Sequence, residues 1–351
     1  MRFSMQRALL LPAPVIRTTL PCCFYRALIN VHNLVLTCGP ACENNDLLLR
    51  MAAIATGFRL NVAHLSDEKL TAWLERLQNL RLESGRNFSI ILDLQGAKVR
   101  IGQYPAVASL PARVELFRGE VSDSCERIPV PAASVFTQTS AGDLLILNDR
   151  RVILRVVGTS ADVLRAEVIQ NGPLSSGKGL NSSDRVFELA RATEGDRQAI
   201  ECSRSFDNVA YAVSFVADGC ESEIFRALVG TSQLIAKIEQ RRAMQNLAYI
   251  DEKFDELWFC RGDLGAEAGL KELGRLQQQF VAELSGLRKP ALIAGEVLGS
   301  MVSSAFPSRA EIVQLYDCAQ AGFSGLVLSD ETACGSQVMA VVDFLEYWLR
   351  D

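Results

Sequence analysis

The chain has 351 residues, of which 49% are hydrophobic, and this is enough for one large core and a second smaller one. Its formal net charge of -5 argues against the extended basic surface of a nucleic-acid-binding protein and leaves room for local cationic sites. No apolar run approaches the roughly 20 uninterrupted residues of a membrane helix, so neither nucleic acid nor a membrane is predicted as a partner.

The N-terminal segment, residues 1–32, carries four arginines and no acidic residue. We interpret it as an arm that precedes the folded part of the chain. An organelle-targeting segment is the alternative, since such segments are also rich in arginine and poor in acids.

The ten cysteines are scattered, apart from the adjacent Cys22 and Cys23, and no CxxC motif occurs. In a chain of this size, such usage favours reduced thiols in a cytoplasmic protein. Cys38 and Cys42 resemble half of a metal site, but no second Cys/His pair accompanies them. Zinc is therefore not predicted.

Eight short apolar runs follow His32, and helical patterns with apolar residues three and four apart lie between most of them. The runs are 34–39, 58–64, 89–96, 208–215, 234–239, 256–263, 291–296 and 325–331. Strand–helix alternation repeated eight times predicts an α/β fold, a (β/α)8 TIM barrel formed by residues 33–102 and 181–351.

One interval, residues 103–180, breaks this rhythm. It alternates in the manner of antiparallel strands, with Gly, Asn and Asp at the turns and no clear helical pattern. We predict a small all-β domain inserted after barrel strand 3, where it would cover the active face of the barrel as a lid.

The predicted C-terminal strand ends carry charged residues, and in parallel barrels these ends hold the chemistry. Lys237 and Glu239 are two apart on one strand and therefore project from the same face. Asp263 follows the next strand and lies between two glycines, in a segment where backbone N–H groups can approach an anion. Two carboxylates from adjacent strands suit a hard divalent cation, and Lys237 suits a transferring phosphoryl group.

Other features of the sequence are weaker signals. Lys178, between two glycines, could offer a mobile basic loop near phosphates, but the segment lacks the Walker A pattern and also suits a simple turn. His64 follows a strand end, where a structural histidine is as compatible with the sequence as a catalytic one.

These segments together resemble the pyruvate kinase family. "TCGPAC" is similar to its first-strand motif TIGPAS, "FRLNVAH" to RxNFSH, "LDLQGAKVRIG" to LDTKGPEIRTG, and "SSGKGLN" to SKKGVN. Further along the chain, "AKIEQ" resembles SKIEN, "RGDLGAE" resembles RGDLGxE, "PSRAE" resembles PTRAE, and "SDETACG" resembles SGETAxG. The similarity runs in order from about Asn33 to the C-terminus.

The resemblance implies a phosphotransferase that moves a phosphoryl group from phosphoenolpyruvate to ADP, giving pyruvate and ATP, with Mg2+ or Mn2+ as cofactor. By position, Lys237 would stabilise the transferring group, while Glu239 and Asp263 would bind the metal ion. The positions implied in catalysis are Lys237, Arg59, Ser329 and Gly295. Substrate contacts would come from Arg261, Gly262, Asp263, Ser214 and Lys237. The nucleotide side would be formed by Arg100, His64, Asn61, Asp149, Lys178 and Asn181.

The family's monovalent-cation site is altered in this sequence. Asn61 and Asp93 remain, whereas Ala63 and Leu94 replace the usual Ser and Thr, and Lys98 stands where potassium-dependent members carry Glu. Because an ammonium group can replace a bound potassium ion as a local positive charge, we expect activity without K+. The alternative is that Lys98 is a surface charge beside a decayed cation site.

A second departure is "IAGEVL", which replaces CATQML. Gly295 removes a hydroxyl that would help to protonate the enolate, and Glu296 adds a carboxylate. This change keeps two alternatives open. One is a metal-dependent enolate enzyme, such as an oxo-acid decarboxylase or aldolase. The other is a catalytically impaired paralog that binds phosphoenolpyruvate.

The sequence ends soon after barrel strand eight. We therefore expect no allosteric control through the family's C-terminal domain, and any oligomer would be a homodimer through barrel faces.

Overall fold

The computed structural model describes residues 33–96, 98–148, 150–182, 187 and 191–349. The predicted N-terminal arm and Asp149 lie outside the described residues. Within those residues, no helix is long and apolar enough to cross a membrane.

Eight parallel strands close into a barrel, which confirms the predicted fold class. They are β1 Asn33–Thr37, β2 Gly57–Asn61, β3 Ser89–Asp93, β10 Val209–Val213, β11 Leu234–Ile238, β12 Glu256–Cys260, β13 Ala291–Ala294 and β14 Gly325–Leu328. Each strand pairs with the next in this list, and the register Asn33↔Gly325 between β1 and β14 closes the ring. The strands are apolar on both faces because one face lines the barrel interior and the other lies under the helices.

Helices surround the barrel and several begin at the capping residues that their sequences provide. The described helices are α1 Asn45–Ile54, α2 Asp67–Ser84, α3 Ala133–Gln138, α4 Glu194–Ser203, α5 Glu221–Val229, α6 Arg241–Gln245, α7 Leu247–Lys253, α8 Arg261–Ala268, α9 Leu270–Leu284, α10 Arg309–Ala321, α11 Asp330–Ala333 and α12 Val338–Trp348. Thr193 and Ser308 form capping boxes at α4 and α10. The core between helices and barrel includes fully buried Phe58, Phe259 and Phe280.

A second sheet of six strands follows β3 in the sequence. Its strands are β4 Arg113–Arg118, β5 Arg127–Val130, β6 Leu144–Leu147, β7 Val152–Ser160, β8 Val163–Gln170 and β9 Leu180–Ser182, in the order β5-β4-β8-β7-β6-β9. The pairs are antiparallel except β4–β5, and the sheet has its own apolar core around Leu116, Leu147 and Leu164. The same segment also contains α3, which the alternating pattern did not indicate. The sheet extends to Ser182, two residues beyond the predicted boundary at 180, because β9 pairs with β6. We call this unit, residues 103–182, the lid, after the position predicted for it over the barrel.

All eight barrel strands end before the predicted apolar runs do, and two of these differences bear on the site. The run predicted for residues 58–64 ends as a strand at Asn61, and a 3-10 helix begins at Val62. The run predicted for residues 256–263 ends at Cys260, and α8 begins at Arg261. Asp263 therefore lies in the first turn of α8, where N–H groups have no partner within the helix.

Candidate active site

The C-terminal ends of the barrel strands bring an ionic cluster together around Asp93, which ends β3 and is 3% exposed. Its carboxylate accepts from Arg59 Nε at 2.6 Å and lies 2.9 Å from Lys237 Nζ. Lys237 Nζ is also 2.9 Å from Glu239 Oε1 and donates to Ser214 Oγ at 2.9 Å. The structure therefore places Lys237 and Glu239 side by side, as the alternation of the strand predicted.

The second carboxylate, Asp263, completes this cluster. It lies in hydrogen-bonding contact with Glu239, although the two residues come from different strand ends. The ammonium group of Lys98 pairs with Asp263 and lies 5.4 Å from the ring centre of Phe215. The cluster thus holds the carboxylates of Asp93, Glu239 and Asp263 and the cations of Arg59, Lys98 and Lys237.

Burial and neighbouring charges shift the pKa values of these groups in opposite directions. Burial raises the pKa of Glu239 to about 7, and the charges of Asp263 and Asp93 act in the same direction against the opposing effect of Lys237. For Asp263, burial is outweighed by the charges of Lys98 and Lys237, so its pKa lies below the usual value. Burial lowers the pKa of Lys237, but the charges of Asp93 and Glu239 raise it by a larger amount. The pKa therefore lies above its usual value, and the amine stays protonated.

The backbone of Phe215 has an uncommon conformation and forms a hydrogen bond with Glu239. Its φ is +56°, an uncommon conformation for a bulky residue, and its N–H donates to Glu239 Oε2 at 2.8 Å. This hydrogen bond fixes one oxygen of Glu239, while Lys237 holds the other. Both oxygens of the Glu239 carboxylate are therefore held, which restricts rotation of this side chain.

The substrate-side residues Arg261, Gly262 and Gly295 meet where α8 begins. Arg261 Nε donates to Gly295 O at 2.8 Å, and its Nη2 donates to Glu296 O at 2.9 Å. Gly295 has a φ of +87°, and a Cβ built there would lie 3.1 Å from Gly262 N. The backbone conformation therefore favours glycine at position 295, and an added Cβ would also need Gly262 to move by a few tenths of an ångström.

A cleft of about 840 Å3 opens beside the cluster. Of the predicted residues, Arg59, Asn61, His64 and Ser329 line it. Burial first, and then the charges of Arg100, Arg59 and Lys178, lower the pKa of His64, so each of these cations lies within electrostatic reach of His64. A cationic cleft of this size is suited to a phosphorylated ligand.

Arg100, Lys178 and Asn181 lie on the lid side. Arg100 Nη1 donates to Gly177 O at 2.9 Å, and Lys178, which is exposed, accepts from Ile101 N through its backbone oxygen. Asn181 lines a smaller pocket with Lys98 and Glu239 rather than the large cleft. The structure thus separates the predicted nucleotide-side residues into a barrel group and a lid group.

Each of the residues assigned to the monovalent-cation site has a different partner in the structure. Asn61 caps a 3-10 helix by accepting from Ala63 N at 3.3 Å, and Asp93 pairs with Arg59 and Lys237. Lys98 pairs instead with Asp263. Its positive charge is therefore delivered to the carboxylate predicted to bind the metal ion.

Sequence reasoning missed Thr37 and Glu331. Thr37 Oγ1 accepts from Arg59 Nη1 at 2.9 Å and donates to Leu328 O at 2.6 Å, so it positions the guanidinium group. Glu331, 1% exposed, accepts from the N–H groups of Ser329 and Leu298 at 2.7 and 3.1 Å. The signal for Thr37 was its place at the end of the first strand; Glu331 had a similar place after the last.

The carboxylates of Glu239 and Asp263 suit Mg2+ or Mn2+, which prefer oxygen ligands and retain waters and substrate oxygens as further ligands. Within the described ranges, no three His, Cys, Asp or Glu side chains form a ready-made metal site. The cluster is formally neutral, with three carboxylates and three cations, so an anionic substrate needs additional positive charge. The pair of Glu239 and Asp263 fits a cation that arrives with such a substrate.

The chain is similar to known proteins over most of its length. Residues 29–342 match the family described as "Pyruvate kinase, barrel domain". The chain is 28% identical over 330 residues to a pyruvate kinase of Pyrobaculum aerophilum, covering 91% of this chain and 72% of that protein. A pyruvate kinase of Agrobacterium vitis is 31% identical over 319 residues, covering 89% of this chain and 67% of that protein. The crystal structure of the Pyrobaculum aerophilum enzyme superimposes with a TM-score of 0.80 at 29% identity, covering 91% of this chain and 72% of that chain.

Proposed function

The chain belongs to the pyruvate kinase family, and we propose that it transfers a phosphoryl group from phosphoenolpyruvate to ADP, giving pyruvate and ATP. The observation that carries this proposal is the meeting of Lys237, Glu239 and Asp263 at the barrel mouth. These groups supply a fixed cation and a pair of carboxylates at one point, as phosphoryl transfer requires.

Each group has a defined task in this reaction. Lys237, held by Asp93 and Ser214, places its ammonium group beside the transferring phosphoryl oxygens. Glu239 and Asp263 would hold Mg2+ or Mn2+, which supplies positive charge to the carboxylate and enolate oxygens of the substrate. Arg59, fixed by Asp93 and Thr37, faces the cleft and neutralises phosphate charge.

ATP formation from phosphoenolpyruvate and ADP tests this function directly. We expect magnesium-dependent ATP production by the purified chain and a loss of at least about a hundredfold in Lys237→Met, because a fixed charge at the reacting group is removed. The exposed Lys271 on α9 gives the control variant Lys271→Met, which should retain the rate. Carbon–carbon cleavage of an oxo-acid without ATP formation would instead support an enolate enzyme, and binding without turnover would support an inactive paralog.

We also propose that the reaction needs no added potassium. Lys98, which is paired with Asp263 and largely buried, carries a permanent positive charge inside the cluster. A monovalent cation contributes the same kind of charge in a site of oxygen ligands. Equal rates in potassium and tetramethylammonium buffers of the same ionic strength are expected.

Cytoplasmic localisation and pairing of two copies through barrel faces are further parts of the proposal. Exposed apolar side chains on α10 and α12, including Val313, Tyr316 and Tyr347, support a contact surface there. Tyr316 and Trp348 pack edge to face at 4.8 Å, so the two helices are neighbours. Light scattering of the full chain tests the dimer, with a monomeric mass as the contradicting result.

A further inference from the structure

We propose that Cys38 and Cys42 are a modification site: a dithiol that is oxidised to a disulfide and thereby lowers the activity of the neighbouring cleft. The pair lies outside the ionic cluster described above. Its oxidation chemistry is independent of the proposed function, and only its effect on ATP formation depends on that function.

A tight turn brings the two thiols together. Cys38 follows β1, and Cys42 ends the 3-10 helix Pro40–Cys42, whose Cys42 N–H donates to Gly39 O at 2.9 Å. The two side chains share a hydrogen bond and are 7% and 0% exposed. Cys38, but not Cys42, lines the cleft of about 840 Å3, so a small oxidant reaches the pair at Cys38.

The two thiols are chemically unequal. The hydrogen bond from Cys38 lowers the pKa of Cys42 against the opposing effect of burial, and the Gly39 backbone and the charge of Arg76 add to this lowering. Burial is the main cause of the raised pKa of Cys38. Cys42 therefore supplies the thiolate more readily, and the thiolate is the nucleophile in disulfide formation, whereas Cys38 is the thiol that faces the cleft.

The oxidant that we propose is a peroxide. The Cys38 thiolate, which faces the cleft, attacks one peroxide oxygen and becomes a sulfenic acid as hydroxide leaves; the Cys42 thiol then attacks the Cys38 sulfur, forming the disulfide and releasing water. In sum, two thiols and one hydrogen peroxide give one disulfide and two waters. A reducing compartment returns the pair to thiols, as is usual for regulatory cytosolic disulfides.

A chain of buried hydrogen bonds links this pair to the site. The Cys42 thiol donates to Thr332 O at 3.0 Å, and Thr332 Oγ1 donates to Thr37 O at 2.8 Å. Thr37 Oγ1 in turn holds Arg59. Disulfide formation removes the Cys42 donor and leaves a buried carbonyl without this partner, so the support of Arg59 is expected to shift.

A metal is the competing explanation for two neighbouring cysteines. Among the described residues, no third His, Cys, Asp or Glu joins them to complete a metal-binding group. The family motif TIGPAS has Ile and Ser at these two positions, so both thiols are features of this sequence. The motif also provides the variant Cys38→Ile/Cys42→Ser, which suits the family backbone and lacks both thiols.

The test treats the reduced full chain with hydrogen peroxide, blocks the remaining thiols, and analyses the peptides by mass spectrometry. We expect a Cys38–Cys42 crosslink with the loss of two hydrogens, a several-fold fall in ATP formation, and recovery with dithiothreitol. Cys38→Ile/Cys42→Ser should keep its own untreated rate under peroxide. Cys334→Ser, which removes a third thiol of the same cleft, should respond as the wild type does.

Three results would overturn the proposal: both thiols remaining free, a crosslink that leaves the rate unchanged, or equal inactivation of the Cys38→Ile/Cys42→Ser variant. If the untreated chain forms no ATP, the proposed function has failed, while the mass of the crosslink still reports on the dithiol. Nucleotide affinity, measured by calorimetry before and after oxidation, then replaces the rate, and an unchanged affinity would count against the proposal.

Discussion

The ammonium group of Lys98, at the entrance to the lid, is paired with Asp263, in the first turn of the helix after β12. The two residues are 165 positions apart in the sequence, yet both side chains are substantially shielded from solvent. The pair joins the lid side of the site to the carboxylate that we assign to the metal ion. Because the positive charge of Lys98 is fixed at this point, we expect that the site needs no added monovalent cation.

Removal of this charge should slow the reaction. In Lys98→Gln, we expect a fall in kcat of about 10- to 100-fold in potassium-free buffer, because a preorganised cation beside the reacting groups is lost. Steady-state rates at constant ionic strength provide the measurement, with Lys271→Gln as the surface control. A wild-type enzyme that is inactive without potassium would contradict the assignment.

Metal affinity should depend on pH through Glu239. Its pKa is raised to about 7 in the metal-free protein, so metal binding below that pH displaces a proton. The dissociation constant for Mn2+ should fall about fivefold from pH 6 to pH 7 and about twofold more from pH 7 to pH 8, and then level off. Titrations at several pH values test this, and Glu239→Gln should bind more weakly and lack this slope.

The same shift has a consequence for stability with a defined sign. Because the folded-state pKa of Glu239 is raised above its unfolded value, its stabilising contribution is present at low pH and is lost as the pH rises through about 7. The metal-free protein should therefore gain more in melting temperature from Mg2+ at pH 8 than at pH 6. An equal gain at both pH values would argue against Glu239 as the metal ligand.

Asp93 should be the most costly charge to remove. Asp93→Asn leaves Arg59 and Lys237 buried without their shared partner, for which we expect a loss of about 3–5 kcal/mol in the free energy of unfolding. Asp343, whose side chain is 66% exposed in its pair with Arg50, is the matched control. Asp343→Asn should change stability by no more than about 1 kcal/mol in the same denaturation experiment. Equal effects of the two variants would contradict the central role of Asp93.

The barrel was predictable from sequence because its strands are short apolar runs separated by helices of regular period. The helix α3 was missed because six residues are too short to show a helical period. Lys237 and Glu239 could be placed together because alternation along one strand fixes their common face. The pairing of Lys98 with Asp263 could not be predicted, since it depends on the path of the chain between β3 and the lid. The sequence comparison grouped Lys98 with Asn61 and Asp93, whereas the structure gives each of the three a different partner.

Position 295 provides the clearest case in which the structure changes an expectation from sequence. A threonine is usual in the family motif, but Gly295 here has a φ of +87° and a Cβ would lie 3.1 Å from Gly262 N. Gly295→Thr should therefore destabilise the protein by about 1–3 kcal/mol, through backbone strain in a region that β-branched residues avoid. It should not increase the rate, because the added hydroxyl comes with a displaced backbone at the start of α8.

Gly274, inside α9 with open space around its Cβ position, provides the control: Gly274→Ala should stabilise by about 0.5–1 kcal/mol. Thermal and chemical unfolding measure the stability of the two variants. A Gly295→Thr enzyme with unchanged stability and a higher rate would contradict the prediction, since it would show that the strand end can adopt the conformation that threonine needs.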